Sequence, residues 1–299
     1  MQVLRFKILL FTLLLGCGTL LPQACSGHVQ ANQTSCLSSM HTKSGPCKTT
    51  LLRLSPSSSS DALENLEGED SFVILPPGFQ NRRSEKYPVL VALPYTGGSG
   101  ADFIRSYLYN TWPYNDKGSF EWGKAFQYFI NTHFQEDKNR FIILVPPGIG
   151  STRDHDWSGF MACIERYEKR VTDNLVWLKK NYNADISRVV LSGYSLGGDL
   201  SWALALKYPE RYYGAILMGT RIGYRNKKSY DTLKKTGFRF YIGMGEFELE
   251  HRKKGNSLGR KILDQYKIPY IYKTIPAGGH TTLKHSEFID ALYYTFRFK

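Results

Sequence analysis

Residues 188–197 read RVVLSGYSLG: a β-branched apolar run that stops at Gly193-Tyr194-Ser195-Leu196-Gly197. The stretch that follows, up to Tyr208, carries only Asp199 and Lys207 as charges. A strand must therefore hand over to a helix within a few residues. Such a sharp turn brings strand and helix so close that side chains at the flanking positions would collide with backbone, and glycine stands at both. The serine between them is left with its hydroxyl exposed above the sheet. A coiled coil, a collagen-like chain or a disordered chain has no place for this unit. Composition agrees, since 299 residues that are 42% apolar and 14% aromatic suffice for one large globular domain or two small ones.

Apolar strands and helical patterns alternate around this turn. Strands are expected at 71–75 (SFVIL), 87–93 (YPVLVAL), 141–145 (FIILV), 188–192, 214–218, 238–242 and 270–275. Ile164, Tyr167, Val171, Leu175 and Leu178 share one helical face, and further helices are expected at 198–208, around Leu258 to Tyr266, and from about 282 to 296. That order implies an α/β domain, a mostly parallel central sheet with helices on both faces. Only a short segment, 220–237, separates two later strands, so any lid there is minimal. No internal repeat is present.

The N-terminal part reads differently. Residues 1–24 hold Arg5 and Lys7, no acid, and the short apolar run 8–15, the pattern of an export signal too short to span a bilayer. Leu14-Leu15-Gly16-Cys17 is similar to a lipobox, which would place a lipidated Cys17 at the mature N-terminus and hold the domain at a membrane face. An extracytoplasmic location follows, either secreted or lipid-anchored at the cell envelope. Residues 25–66 are Ser-, Thr- and Gly-rich and read as a tether, with the folded domain over 67–299. Cys25, Cys36, Cys47 and Cys163 are an even set that permits disulfides in an oxidising compartment, and none is spaced C-x-x-C as a metal site would be. The formal charge of +13 contains no block of five like charges, which disfavours a nucleic-acid tail and fits a solvated basic surface.

A serine hydroxyl becomes nucleophilic only when a base removes its proton, and histidine titrates in the working range. Of seven histidines, His280 lies in Ala277-Gly278-Gly279-His280-Thr281, a loop after the last strand that opens at the same sheet edge as Ser195. An acid between them in the chain must orient the imidazole. Glu248, in Gly245-Glu246-Phe247-Glu248, best fits a turn after the strand 238–242, and Glu246 is the alternative. An acyl oxyanion needs two backbone donors. Leu196, directly after the serine, is one candidate, and Thr96 in the glycine-rich loop Pro94-Tyr95-Thr96-Gly97-Gly98 is the other. That loop lacks the Lys-Ser/Thr pair of a phosphate-binding loop. Aromatic residues crowd 107–134 and recur at Trp157, where they could wall an acyl or aryl pocket.

These segments, SFVILPPGF, YPVLVALPYTGGSGADF, DISRVVLSGYSLGGDLSWALALKYPERY and PAGGH, together resemble the α/β-hydrolase superfamily, specifically its esterase, feruloyl-esterase and polyester-depolymerase-like group. The resemblance paces nearly all of 71–299. It implies an α/β-hydrolase fold and a serine hydrolase cleaving carboxylic esters through an acyl-enzyme, with Ser195, His280 and Glu248 as triad and no metal or other cofactor. Its implied partner is a small or polymeric ester. Two positions depart from the group: Pro94-Tyr95 stands where His-Gly is usual, and the triad acid is a glutamate in place of aspartate. A prolyl-oligopeptidase-type peptidase uses the same constellation but usually carries an accessory domain. A non-catalytic binding protein on the same fold is the alternative outside enzymes.

Overall fold

The computed structural model describes residues 31–34, 41–42, 45–46, 50–54, 71–76, 79, 84–98, 139–148 and 157–298. The expected export signal with Cys17, the cysteines Cys25, Cys36 and Cys47, and the aromatic segment 107–134 lie outside them.

Strand β1 (Ala31–Thr34) precedes a two-residue ladder of β2 (His41–Thr42) with β3 (Gly45–Pro46). Then come β4 (Thr50–Leu54), β5 (Ser71–Leu75), β6 (Tyr87–Leu93), β7 (Ile142–Val145), helix α1 (Trp157–Tyr182), β8 (Ala184–Tyr194) and α2 (Leu196–Lys207). The chain continues through β9 (Gly214–Met218), α3 (Lys227–Thr236), β10 (Arg239–Gly245), α4 (Glu250–Tyr266), β11 (Tyr270–Ile275) and α5 (His285–Phe296). Among the described residues these strands make a nine-stranded sheet in the order β1-β4-β5-β7-β6-β8-β9-β10-β11. The six from β7 to β11 run parallel, and β5, β4 and β1 extend one flank by antiparallel pairing.

The flank corrects the expected tether over 25–66, because residues 31–34 and 50–54 are strands of the central sheet. Leu51 pairs with Ile74 and Leu52 with Val73, so the run TLLRL continues the ladder that SFVIL begins. Its β-prone composition was masked by the serine-rich stretch that follows. The short segment 220–237, to which no helix was assigned, contains α3. Gly237 closes that helix at φ +66°, its N–H bonding the carbonyls of Leu233 and Lys234, an arrangement glycine reaches without a Cβ penalty.

Every residue of β6 and β7 is buried, as expected of parallel strands covered on both faces. One side of the sheet packs against α1, α2, α3 and α4, through Val171, Leu178, Leu204, Leu233 and Leu263 among others. The other packs against α5, where Phe288 and Leu292 meet Val190, Ile216 and Tyr241. Helix α2 is buried from Leu196 to Leu206 on all its sides, so it shows no amphipathic stripe. Trp202 at its centre is fully buried, and its indole N–H donates to the Tyr224 carbonyl at 2.8 Å. Since β8, β9, β10 and β11 all finish at one edge, the loops that follow them are gathered there.

Candidate active site

Ser195 sits between β8 and α2 with φ +56° and ψ −118°, outside the left-handed helical well. That conformation is held from a distance: the Ser195 N–H donates to the Met218 carbonyl at the end of β9, at 2.9 Å. The flanking glycines are required sterically. A Cβ on Gly193 would overlap the Gly197 carbonyl, and one on Gly197 would overlap the Leu93 carbonyl oxygen and lie 2.8 Å from that of Pro94. The close approach at Gly197 also brings the loop after β6 against the elbow.

His280 enters from the loop after β11. Its Nε2 is 2.8 Å from the Ser195 hydroxyl oxygen, and its Nδ1 is 2.7 Å from Glu248 Oε2. The glutamate side chain is fully buried, while the imidazole is about 30% exposed, so the acid is shielded and the base is partly open to solvent. The second oxygen of Glu248 accepts the Leu249 N–H at 2.9 Å, which fixes the carboxylate plane. With Nδ1–H donating to Glu248, the imidazole presents a lone pair at Nε2 to the serine hydroxyl.

Glu246, the alternative acid, has another partner. Its Oε2 accepts the N–H of Ala277 at 2.9 Å, at a position where Ala277 has φ +56°. Glu246 thus ties down the start of the loop that carries His280. The loops are further knitted by the Phe247 N–H on the Gly278 carbonyl at 2.7 Å and the Glu246 N–H on Ile275 at 3.0 Å. Gly245 is needed there because a Cβ would overlap the Gly279 carbonyl.

Leu196 is the first residue of α2, so its N–H has no acceptor within the helix. Thr96 is in a tight turn closed by the Gly98 N–H on the Tyr95 carbonyl at 2.9 Å, with Gly97 at φ +73°. The turn begins against the elbow, at the Pro94 contact with Gly197. Tyr95, one of the two departures from the group, packs its ring edge-on to Tyr194 at 6.0 Å between centroids. Tyr194 itself was not singled out from sequence. Its hydroxyl donates to the His280 carbonyl at 2.8 Å and its ring lies 4.7 Å from the imidazole, so it supports the histidine from below. As the variable position of G-x-S-x-G it carried no signal. Trp157, exposed by 60%, opens α1 and stacks on Tyr224. Among the described residues no three His, Cys, Asp or Glu side chains converge as metal ligands would.

The Esterase family model matches residues 69–222, just over half of the chain. The chain belongs to the Esterase family. The matched stretch contains Thr96, Ser195 and Leu196 and ends before Glu248 and His280, which are joined to it by the geometry alone. Solved structures with the same fold include a ferulic acid esterase, 14% identical, with a TM-score of 0.56 over 76% of this chain and 91% of that one. A feruloyl esterase module from Clostridium thermocellum, complexed with sinapinate, is 12% identical with a TM-score of 0.57, covering 90% of this chain and 95% of that one. A ferulic acid esterase from Anaeromyces mucronatus is 15% identical with a TM-score of 0.56, covering 90% and 98%. No curated protein matches the chain by sequence. The α/β-hydrolase fold that the resemblance implies is therefore the fold of this esterase-family chain.

Proposed function

We propose that the chain is a serine hydrolase that cleaves carboxylic esters through an acyl-enzyme. The observation that carries this reading is the continuous array from the Ser195 hydroxyl through His280 to the buried Glu248, at 2.8 and 2.7 Å. Ser195 Oγ attacks the ester carbonyl while His280 Nε2 accepts its proton, and Glu248 stabilises the imidazolium without taking the proton itself. The N–H groups of Leu196 and Thr96 bind the oxyanion of the tetrahedral intermediate, the larger share of catalysis in such sites. His280 returns the proton to the leaving alcohol, then activates water to release the acid and restore Ser195.

The choice of a first substrate class is supported by the proteins that share the fold. Several structures that share it are esterases of ferulic acid, and one holds sinapinate, so esters of hydroxycinnamic acids are the first class to try. The leader over 1–24 and the Cys17 motif support export with lipid attachment, which radiolabelled palmitate incorporation into wild type and Cys17→Ala would check.

The deciding experiment compares hydrolysis of p-nitrophenyl acetate, butyrate and octanoate and of methyl ferulate by the full chain and its Ser195→Ala variant. Serine-dependent release is expected, with Glu248→Gln strongly impaired and Glu246→Gln much less so. Turnover that survives in Ser195→Ala, in a preparation free of contaminating esterase, overturns the reading.

A further inference from the structure

Below the elbow lies a charged cluster that ester hydrolysis as written above does not use. Asp199 is one helical turn after Ser195, and its side chain is only 2% exposed. A buried carboxylate is costly unless every oxygen is matched. Here Oδ1 accepts the Thr220 hydroxyl at 2.8 Å and the Arg221 N–H at 2.6 Å, while Oδ2 accepts Arg221 Nε at 2.6 Å. Arg252 of α4 comes within 3.8 Å of the same Oδ2 and donates to the Gly219 carbonyl at 2.8 Å.

All of these partners converge on one tetrapeptide, Gly219 to Ile222, in the loop after β9. Gly219 has φ +56° and Ile222 has φ +49°, so the loop is bent at both ends. Helix α4 presses on it through two glycines one turn apart. A Cβ on Gly255 would overlap the Arg221 carbonyl, and one on Gly259 would overlap the Ile222 side chain.

The loop and the strand end before it touch the Ser195 backbone and the His280 ring. Met218, immediately before it, accepts the Ser195 N–H. Gly219 lies against the His280 ring, close enough that a Cβ there would come within 3.0 Å of Cε1 and 3.1 Å of Nδ1. A closed circuit results: Ser195 to Asp199 along α2, Asp199 to Thr220 and Arg221, Arg252 to Gly219, Gly219 to His280, and His280 back to Ser195.

We propose that Asp199 and Arg252 are positioning residues for the Ser195–His280 pair, acting through the backbone from Met218 to Arg221, whose Met218 carbonyl holds the Ser195 N–H and whose Gly219 lies against the imidazole. The proposal rests on the esterase reading and adds to it. Neither residue reaches the reacting atoms. Their effect is on where the imidazole sits relative to the serine hydroxyl, a placement to which rates respond steeply: a displacement of about 1 Å can cost on the order of a hundredfold.

The test uses the full chain and four variants, Asp199→Asn, Arg252→Met, Arg252→Lys and Thr220→Val, with Ser195→Ala alongside. For each, kcat and KM on p-nitrophenyl acetate, the rate of fluorophosphonate labelling, and thermal unfolding are measured. Asp199→Asn and Arg252→Met are expected to lower kcat and the labelling rate about ten- to a hundredfold, with KM changed less than about twofold, in protein still folded at the assay temperature. Arg252→Lys, which keeps a cationic donor for the Gly219 carbonyl, is expected to recover most of kcat. Should the first two fail to fold, Thr220→Val decides, because it removes one hydrogen bond to Asp199; the expected result is a loss of kcat with KM little changed.

Folded Asp199→Asn and Arg252→Met with kcat within twofold of wild type overturn the proposal, as does Thr220→Val at wild-type kcat where those two do not fold, or an Arg252→Lys no better than a folded Arg252→Met. Activity surviving in Ser195→Ala would instead overturn the esterase reading itself, so the two failures are distinct.

Discussion

Six non-glycine residues among those described have positive φ, and they divide evenly between the two edges of the sheet. Asn183, Lys267 and Arg297 lie at the edge where strands begin. Lys267 and Arg297 are helix C-caps in the left-handed well, bonded to carbonyls of their own helices, and Asn183 follows α1 directly. Ser195, Ile222 and Ala277 lie where strands end, and none of them closes a helix. Each is held by a neighbour from another part of the fold: Ser195 by the Met218 carbonyl, Ile222 by its packing on Gly259, Ala277 by the Glu246 carboxylate. A positive φ thus serves two ends. At one edge Lys267 and Arg297 close helices by local backbone bonds, with Asn183 tied by its side-chain amide to the distant Ser84 and Glu85 carbonyls, and at the other edge all three positions are sustained by contacts from other segments.

The largest effect that sharpens this contrast is on activity. Ser195→Ala is expected to lower kcat for a p-nitrophenyl ester by about 10⁴-fold or more while leaving the unfolding transition nearly unmoved. A variant that also unfolds easily would mean the hydroxyl helps hold its own strained backbone. Next comes Gly197→Ala, whose new Cβ meets two carbonyls of the β6 loop. It is expected to cost about 2–4 kcal/mol in urea unfolding. Unchanged stability would show that the elbow can open away from Leu93.

At the opposite edge the sign reverses. Lys267→Gly removes a Cβ from a left-handed residue with no long-range duty, so stability should rise by up to about 1 kcal/mol. A loss there would put Lys267 on the same footing as Ser195. The smallest effect concerns Asp185 at the start of β8. Burial pushes its carboxyl pKa up, but the Ser187 hydroxyl and the Arg188 guanidinium outweigh that and hold it below the ordinary value of 3.8. A depressed pKa contributes stability at neutral pH that is lost as pH falls below 3.8. Because Arg188 is partly exposed, solvent screening limits the effect. Asp185→Asn should therefore cost about 0.5 kcal/mol near pH 7, and the gap from wild type should close on acidification.

Much of the framework was legible because it is written in short range. The runs YPVLVAL and RVVLS read as buried strands, and the glycines at 193 and 197, placed between strand and helix, as a close crossing. Even so, β8 runs from 184 and α2 begins at Leu196, since strand pairing and helix hydrogen bonds extend past the apolar core of each pattern. The antiparallel flank was missed because TLLRL has meaning as a strand only once β5 offers it an edge. Helix α3 was missed because its buried face is only Ser229, Tyr230 and Leu233 within a lysine-rich segment.

The candidate site divides in the same way. Ser195 and His280 were readable from their place after apolar strands. Choosing between Glu248 and Glu246 depended on which carboxylate reaches an imidazole 32 residues further on, and Glu246 reaches the Ala277 amide instead. Tyr194, Asp199 and Arg252 had no pattern to announce them. Sequence by itself determined the alternation of strand and helix, the elbow at Ser195 and the loop that carries His280, because apolar periodicity and glycine spacing act over a few residues. Tertiary structure alone decided which acid faces the imidazole, how far the sheet extends, and that Asp199 and Arg252 meet under the reacting pair. Those outcomes turn on contacts between residues distant in the chain, whose energies exist only once the sheet has brought its loops to one edge.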